Sequence, residues 1–104
     1  MAKAEKILED WKRQIPSEAR WEEVRLVLDE YFSGWRYGSQ KSHVVVYHTK
    51  MVELIKEKGF LNQLQPFNYL GEFTVVVKKH KVKGVYVQSI LKALEILEVM
   101  RWIR

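Results

Sequence analysis

The sequence has 104 residues, of which 47% are hydrophobic and 30% charged, and this balance favours one compact domain over residues 1–104 and excludes a disordered or fibrous chain. It contains no cysteine, which excludes disulfide frameworks, thiolate metal sites and thiol catalysis. No stretch approaches the roughly 18 apolar residues of a membrane span, and the first residues lack a signal-peptide pattern, so we expect a cytoplasmic protein that does not bind membranes.

Two helices are predicted in the first third of the chain. Apolar residues recur at helical spacing within residues 3–14, and Pro16 ends this first helix. Ser17 is the N-cap candidate of a second helix, which has one apolar face and ends near Gly34. The first helix is an N-terminal addition to the rest of the predicted domain.

Strands and a short helix are predicted in the middle of the chain. Residues 35–37 and 43–48 read as a hairpin joined by a Gly-Ser-Gln-Lys turn, and residues 72–78 form a third strand. A short helix at residues 50–58, with Thr49 as its cap candidate, and an irregular segment form an insertion at about 50–70. Both long strands contain three consecutive valines, which predicts that the insertion or a second subunit covers part of the outer face.

A last, extended helix is predicted from about residue 85 to the end, and it is apolar around much of its circumference. Such a helix needs a second surface to pack against. The N-terminal helix with Trp11 is one candidate, and a homodimer through the C-terminal helix is the other. The predicted order is α-α-β-β-(α)-β-α, an α+β fold in which a three-stranded antiparallel sheet packs against helices.

The net charge of +5 comes from two segments of the chain. Residues 33–50 carry +3 and residues 72–94 carry +4, whereas residues 1–32 carry −2. Both basic segments contain predicted strands, so we expect them to meet in one sheet and to form a directional basic patch. The densest run, residues 78–83, fits either a solvated loop that protects a sheet edge or a loop that contacts phosphates.

His43 is the best candidate for chemistry. The sequence has no GxGxxG, P-loop, HExxH or GxSxG motif. His43, His48 and His80 lack metal-ligand spacing, because strand alternation directs the first two to opposite faces, so neither a metal nor a cofactor is predicted. An imidazole accepts a proton near neutral pH, and a base beside phosphate-binding lysines is the minimum for RNA cleavage by the ribose 2′-hydroxyl. An ordinary surface histidine is the alternative.

Two stretches resemble HicA-type toxins. Residues 36–47, RYGSQKSHVVVY, follow a helix and a Gly-Trp pair and resemble the family's R-x-x-G-S-H region. Residues 75–80, VVVKKH, together with KG at 83–84 and SILK at 89–92, are similar to its third strand, basic loop and closing helix. The chain departs from the family pattern by Lys41 in place of a glycine, Lys78 in place of a proline, and the insertion between the second and third strands.

The resemblance implies a small mRNA interferase with a double-stranded-RNA-binding-domain-like (dsRBD-like) fold, which a HicB-type antitoxin protein holds inactive. His43 would then be catalytic, with Ser42 orienting it or the phosphate. The RNA-binding candidates are all basic: Lys41, Lys78, Lys79, His80, Lys81 and Lys83. The alternatives are a non-catalytic RNA-binding or protein-interaction module of the same fold, and a structural or oligomeric role for the last helix.

Aromatic residues fall into two groups. Tyr37, Tyr47 and Tyr69 can stack on unpaired bases. The four tryptophans lie mostly at apolar helix or strand positions, which predicts that they belong to the core.

Overall fold

The computed structural model describes residues 3–59 and 62–102, and in this part of the chain an antiparallel sheet packs against helices. The helices are α1 (Lys3–Arg13), α2 (Trp21–Tyr31), α3 (Thr49–Lys58) and α4 (Gly84–Val99), with one 3-10 turn at Asn62–Leu64. The strands are β1 (Glu18–Arg20), β2 (Arg36–Tyr37), β3 (His43–Tyr47), β4 (Glu72–Lys78) and β5 (Lys81–Lys83). The predicted α+β class is therefore confirmed.

The sheet has five strands in the order β1-β5-β4-β3-β2, so the expectation of three strands is wrong. The three predicted strands are its β2, β3 and β4, and all neighbours are antiparallel. The two missed strands have three residues each, too few to show a period of two. They form because β5 pairs with β4 on one side and with β1 on the other. Ala19 of β1 and Val82 of β5 lie opposite each other and are buried in the core.

The segment after Pro16 begins a strand, so the assignment of Ser17 as a helix cap is wrong. Helix α2 begins at Trp21, and its N-cap residue, Arg20, makes no side-chain capping bond. Instead the carbonyl oxygen of His80 accepts the Trp21 N–H at 2.8 Å, and the carbonyl of Ser17 accepts the Gly84 N–H. The hairpin of β4 and β5 is thus fixed to the start of α2.

One face of the sheet is buried beneath the helices. Val44, Val46, Phe73, Val75 and Val82 lie on this face and are at most 6% exposed. They form one core with the apolar stripes of α2 and α4. Of the four tryptophans, Trp11 is buried and the other three pack partly buried against this core.

Most of the apolar surface of α4 is covered within the chain, while Val85 and Val99 remain exposed. Helix α1 packs on α2 and α4, with Leu8 and Trp11 buried, and Lys12 lies 4.0 Å from Glu98 of α4. Ile96, which lies beyond the main apolar stripe, is also buried. Helix α1 therefore provides the second packing surface that was expected for the last helix. A homodimer through the C-terminal helix stays a prediction.

The insertion at 50–70 lies at one end of the sheet. Met51 and Ile55 of α3 are buried in the main core. The backbone of Val52 packs closely on Gly71, since a Cβ atom on Gly71 would lie 2.9 Å from the Val52 Cα. The cap of α3 is His48, not Thr49: its Nδ1 accepts the Lys50 N–H at 3.2 Å. Parts of the predicted irregular segment and of the predicted final helix, residues 60–61 and 103–104, lie outside the described residues.

The cap of α3 makes stability depend on pH through His48. Burial lowers the pKa of His48 and Lys50 lowers it further, so the folded chain favours the neutral ring that accepts the Lys50 N–H. The stability that neutral His48 contributes is complete above the ordinary histidine pKa of about 6.5. It is lost as the pH falls from there through the lower pKa of His48 in the folded chain. His48→Asn, which caps a helix without titrating, should reduce this loss. Urea unfolding at about pH 7.5 and about pH 5 measures the difference, and an identical pH dependence of the two proteins would contradict the role of His48.

None of the helices in the described residues has the length and apolar character needed to cross a bilayer.

Candidate nucleic-acid interface

The face of the sheet opposite the helices, which we call the open face, carries the candidate residues. Alternation along β3 sends His43, Val45 and Tyr47 to this side, since Val44 and Val46 are buried on the other. By register and alternation, the same side holds residues of the other four strands: Glu18, Arg20, Arg36, Glu72, Thr74, Val76, Lys78, Lys81 and Lys83. The strands place five cations and two carboxylates on this face, a net charge of +3.

Three cations cross the open face in a line, which we call the cationic row. Arg20 pairs with Lys81, and Lys81 pairs with Lys78. Neighbouring strands are about 4.8 Å apart, so the row extends over about 10 Å. Lys41 lies outside the strands, in the turn that the His43 N–H closes by donating to the Gln40 carbonyl.

His43 lies one step along the sheet from the cationic row. It is half-buried at the start of β3 and opposite Val76 of β4. Lys78 lies two residues along β4 from Val76, which corresponds to about 7 Å along the strand. On the other side of Val76 lies Lys83 of β5, because the preceding residue, Val82, pairs with Val77. Lys78 and Lys83 therefore share the open face with the imidazole.

A small cavity of about 70 Å³ lies between the cationic row and Lys83. Its walls are Glu18, Val76, Lys78, Lys81, Lys83 and Tyr86, and Tyr86 comes from the first turn of α4. Three ammonium groups and a phenol at one cavity provide hydrogen-bond donors for a phosphate group. Val76, which pairs with His43 on β3, separates this cavity from the imidazole.

Carboxylates already occupy part of this positive face. Lys81 lies 3.8 Å from Glu18, Arg36 lies 3.1 Å from Glu72, and all four side chains remain partly exposed to solvent. Among the described residues, Lys78 and Lys83 have no carboxylate within 4.0 Å. Exposed ion pairs of this kind contribute about 1 kcal/mol or less, so a polyanion can displace them.

Several carboxylates lie on the other side of the molecule. Glu5, Glu9 and Glu98 line a groove between α1 and α4. Burial raises the pKa of Tyr31 in this groove, and the nearby carboxylates, with Glu5 first, raise it further. The outer helices thus carry charges of both signs, whereas the strands of the open face carry a net charge of +3, which would attract an approaching anion.

Lys79 and His80 lie apart from the cationic row, at the exposed tip of the hairpin between β4 and β5. Both residues have left-handed backbone conformations, with φ of 52° and 64°. This is the pattern of a type I′ turn, which normally has Asn-Gly because other side chains are strained there. The tip therefore carries Lys79 and His80 at two positions where Asn and Gly would be more stable.

We expect Lys79→Asn combined with His80→Gly to stabilise the fold by about 1–2 kcal/mol, because both new residues adopt left-handed φ more readily. Chemical denaturation of the double variant beside the wild type measures this gain. Lys79→Gln removes the same charge without relieving the backbone, so it should give no gain. A double variant no more stable than Lys79→Gln would show that the turn is unstrained.

The structure places half of the sequence-derived site residues on the open face: His43, Lys78, Lys81 and Lys83. Lys41 lies in the turn before β3. Ser42 behaves differently: within the described part of the chain its side chain forms no hydrogen bond with the His43 ring. No group of three histidine or carboxylate side chains that could hold a metal occurs in residues 3–59 and 62–102.

Arg20 and Tyr86 are candidate site residues that the sequence did not reveal. Arg20 belongs to a three-residue edge strand inside a segment that reads as the start of a helix. Tyr86 stands at a position that would otherwise count as part of an apolar helix face. In the sequence, only the position of Tyr86 three residues after Lys83 indicates that it could join the basic site.

Comparison of the chain with models of protein families, with curated proteins and with solved structures gives no significant match.

Proposed function

We propose that this chain is a ribonuclease that binds RNA across the open face and cleaves it with His43 as general base, in the manner of a HicA-type mRNA interferase. The observation that carries the proposal is that a half-buried imidazole and a row of three cations share one sheet face and lie two residues, or roughly 7 Å, apart along the strands. Phosphate-binding cations beside a proton acceptor are what metal-independent RNA cleavage requires.

The proposed reaction uses the ribose of the substrate as nucleophile. His43 accepts the proton of the 2′-hydroxyl, the 2′ oxygen bonds to the adjacent phosphorus, and the bond from phosphorus to the 5′ oxygen breaks. The leaving oxygen takes a proton from water, so the products carry a 2′,3′-cyclic phosphate and a 5′-hydroxyl. Lys78, Lys83 and the Tyr86 hydroxyl at the small cavity would stabilise the charge that develops on the phosphoryl oxygens.

The order of elements supports a dsRBD-like core. From α2 through β2, β3 and β4 to α4, a helix, three antiparallel strands and a helix follow one another, with the helices on one face. The additions are α1, the short pair β1 and β5, and the insertion. The insertion borders the open face at Tyr47 and Glu72, at the opposite end of β3 from His43, so it leaves the proposed catalytic residue accessible.

The proposed inhibitor is a HicB-type antitoxin. A protein that blocks this site would have to cover His43 and the cationic row together. Such a partner would present carboxylates to the open face, and the same charges would compete directly with RNA.

A non-catalytic RNA-binding module is the second candidate. It is favoured by one observation: in the described part of the chain no side chain forms a hydrogen bond to the His43 ring. General bases are usually oriented by such a partner. In this case the cationic row would bind the RNA backbone without cleaving it.

The test is incubation of purified, partner-free protein with single-stranded RNA in EDTA, followed by analysis of the product ends. Fragments with 2′,3′-cyclic phosphate ends are expected, and the same strand with 2′-deoxyribose throughout should stay intact. Binding without cleavage would leave the second candidate. Absence of both binding and cleavage would refute both.

A further inference from the structure

A groove at the far end of the open face brings together two of the three tyrosines that can stack on bases. Tyr47 of β3 and Tyr69 of the insertion line it with Arg36 of β2 and with Val52 and Ile55 of α3. Its volume is about 310 Å³. We call it the tyrosine groove. Tyr37 is directed away from it, since it pairs with the buried Val44 and its ring packs on Trp35.

One wall of the tyrosine groove is exposed to an unusual degree. The side chain of Tyr69 is 70% exposed and that of its neighbour Leu70 is 52% exposed. Adjacent exposed apolar residues at the rim of a groove are typical of a binding surface. Nothing in the core requires an aromatic ring at Tyr69.

The loop that carries Tyr69 is held in place before any ligand arrives. The side-chain oxygen of Asn68 accepts the N–H groups of Leu70 and Glu72 at 2.8 and 3.1 Å. Gly71 has φ of 78° and contacts Val52 so closely that no side chain fits there. A fixed aromatic wall loses little conformational freedom when a flat ligand packs against it.

The chemistry of the groove suits a nucleobase. Its apolar and aromatic walls offer surfaces for stacking, and the Arg36 guanidinium lies 5.7 Å from the centre of the Tyr47 ring. The same guanidinium is 3.1 Å from the Glu72 carboxylate, so a donor and an acceptor for base edges stand together at the rim. Base stacking on aromatic side chains is tolerant of sequence, because every base has a flat face.

We propose that the tyrosine groove binds an unpaired nucleobase of the RNA whose backbone lies on the cationic row, so that the substrate is single-stranded RNA. This inference rests on the proposed function. Tyr47 is four residues from His43 on the same side of β3, which corresponds to about 13 Å along the strand. A base in a paired helix is stacked on its neighbours and cannot enter the groove, whereas a base in a single strand can.

The experiment measures the affinity of the full chain for a short fluorescent single-stranded RNA and for its blunt duplex, by anisotropy. Every ribose of both RNAs carries a 2′-methoxy group in place of the 2′-hydroxyl, so the nucleophile is absent and no cleavage occurs. Tyr69→Ala should weaken single-strand binding roughly tenfold to a hundredfold, as expected for one stacked base, and should leave duplex binding unchanged. Tyr69→Phe should retain the wild-type affinity, because the ring remains.

Tyr37→Ala is the matched control, since Tyr37 is an exposed tyrosine outside the groove. It should bind the single strand as the wild type does, and thermal unfolding verifies that all variants are folded. If Tyr69→Ala binds the single strand with wild-type affinity, or loses the same affinity for both RNAs, the groove does not bind an unpaired base. RNA binding by the chain would still stand. A wild-type protein that binds neither RNA would overturn the proposed function as well.

Discussion

His43→Gln should reduce the rate of RNA cleavage by about 10²–10⁴-fold, the usual contribution of a general base. Glutamine keeps a polar side chain of similar length at the start of β3 but cannot accept the 2′-hydroxyl proton. Since binding depends on the cationic row, RNA affinity should stay close to the wild-type value. Single-turnover cleavage with excess protein, measured beside equilibrium binding, separates the two effects.

The control for this substitution is His48→Asn. It also removes a histidine, but His48 lies beyond the far end of β3 and caps α3, so cleavage at neutral pH should be unchanged. If His43→Gln cleaves RNA at the wild-type rate, another group is the base or the activity belongs to a contaminant. If both variants lose activity together, the loss reflects folding and not chemistry.

The central strands were predictable because each is long enough to carry its own signal. The predicted strand at 72–78 matches β4 residue for residue, and β3 differs from its prediction by one residue at the end. Valine runs and flanking turn residues favour an extended chain locally, without help from distant contacts. The sequence predicted that the two basic segments meet in one sheet. The pairing of β3 with β4, in which His43 lies opposite Val76, confirms this prediction.

The edge of the sheet was not predictable, because β1 and β5 exist only through tertiary pairing. The turn between β4 and β5 has Lys79-His80 where a hairpin normally shows Asn-Gly, so the sequence gives no turn signal there. The segment at β1 looks like the first turn of α2, and pairing with β5 overrides that local preference. The contributions of Arg20 and Tyr86 to the site were therefore hidden.

The three-valine runs predicted that the insertion or a second subunit covers part of the outer face. The insertion borders this face at Tyr47 and Glu72, and cover by a second subunit stays a prediction. Val45 and Val76 lie on the open face and are half-buried. Long neighbours such as Arg36 and Lys83 flank them across the sheet, and the aliphatic stems of such side chains cover apolar surface while their charges stay in water. A basic sheet face can therefore tolerate valines that would otherwise indicate a second layer.

Lys78→Gln combined with Lys81→Gln should weaken RNA binding about tenfold near physiological salt and lower the slope of log K against log salt by about 1.4, since each phosphate contact in a single strand contributes roughly 0.7. Both residues lie in the cationic row, and glutamine keeps most of their length. Lys3→Gln combined with Lys6→Gln removes the same charge from exposed positions of α1, on the side away from the open face. This control should reduce affinity far less, because charges farther than about 10 Å from the RNA are screened at 0.1 M salt. Titrations at several salt concentrations measure both quantities. An equal loss for the two double variants would mean that RNA responds to the net charge of the chain, and the open face would then have no special role in binding.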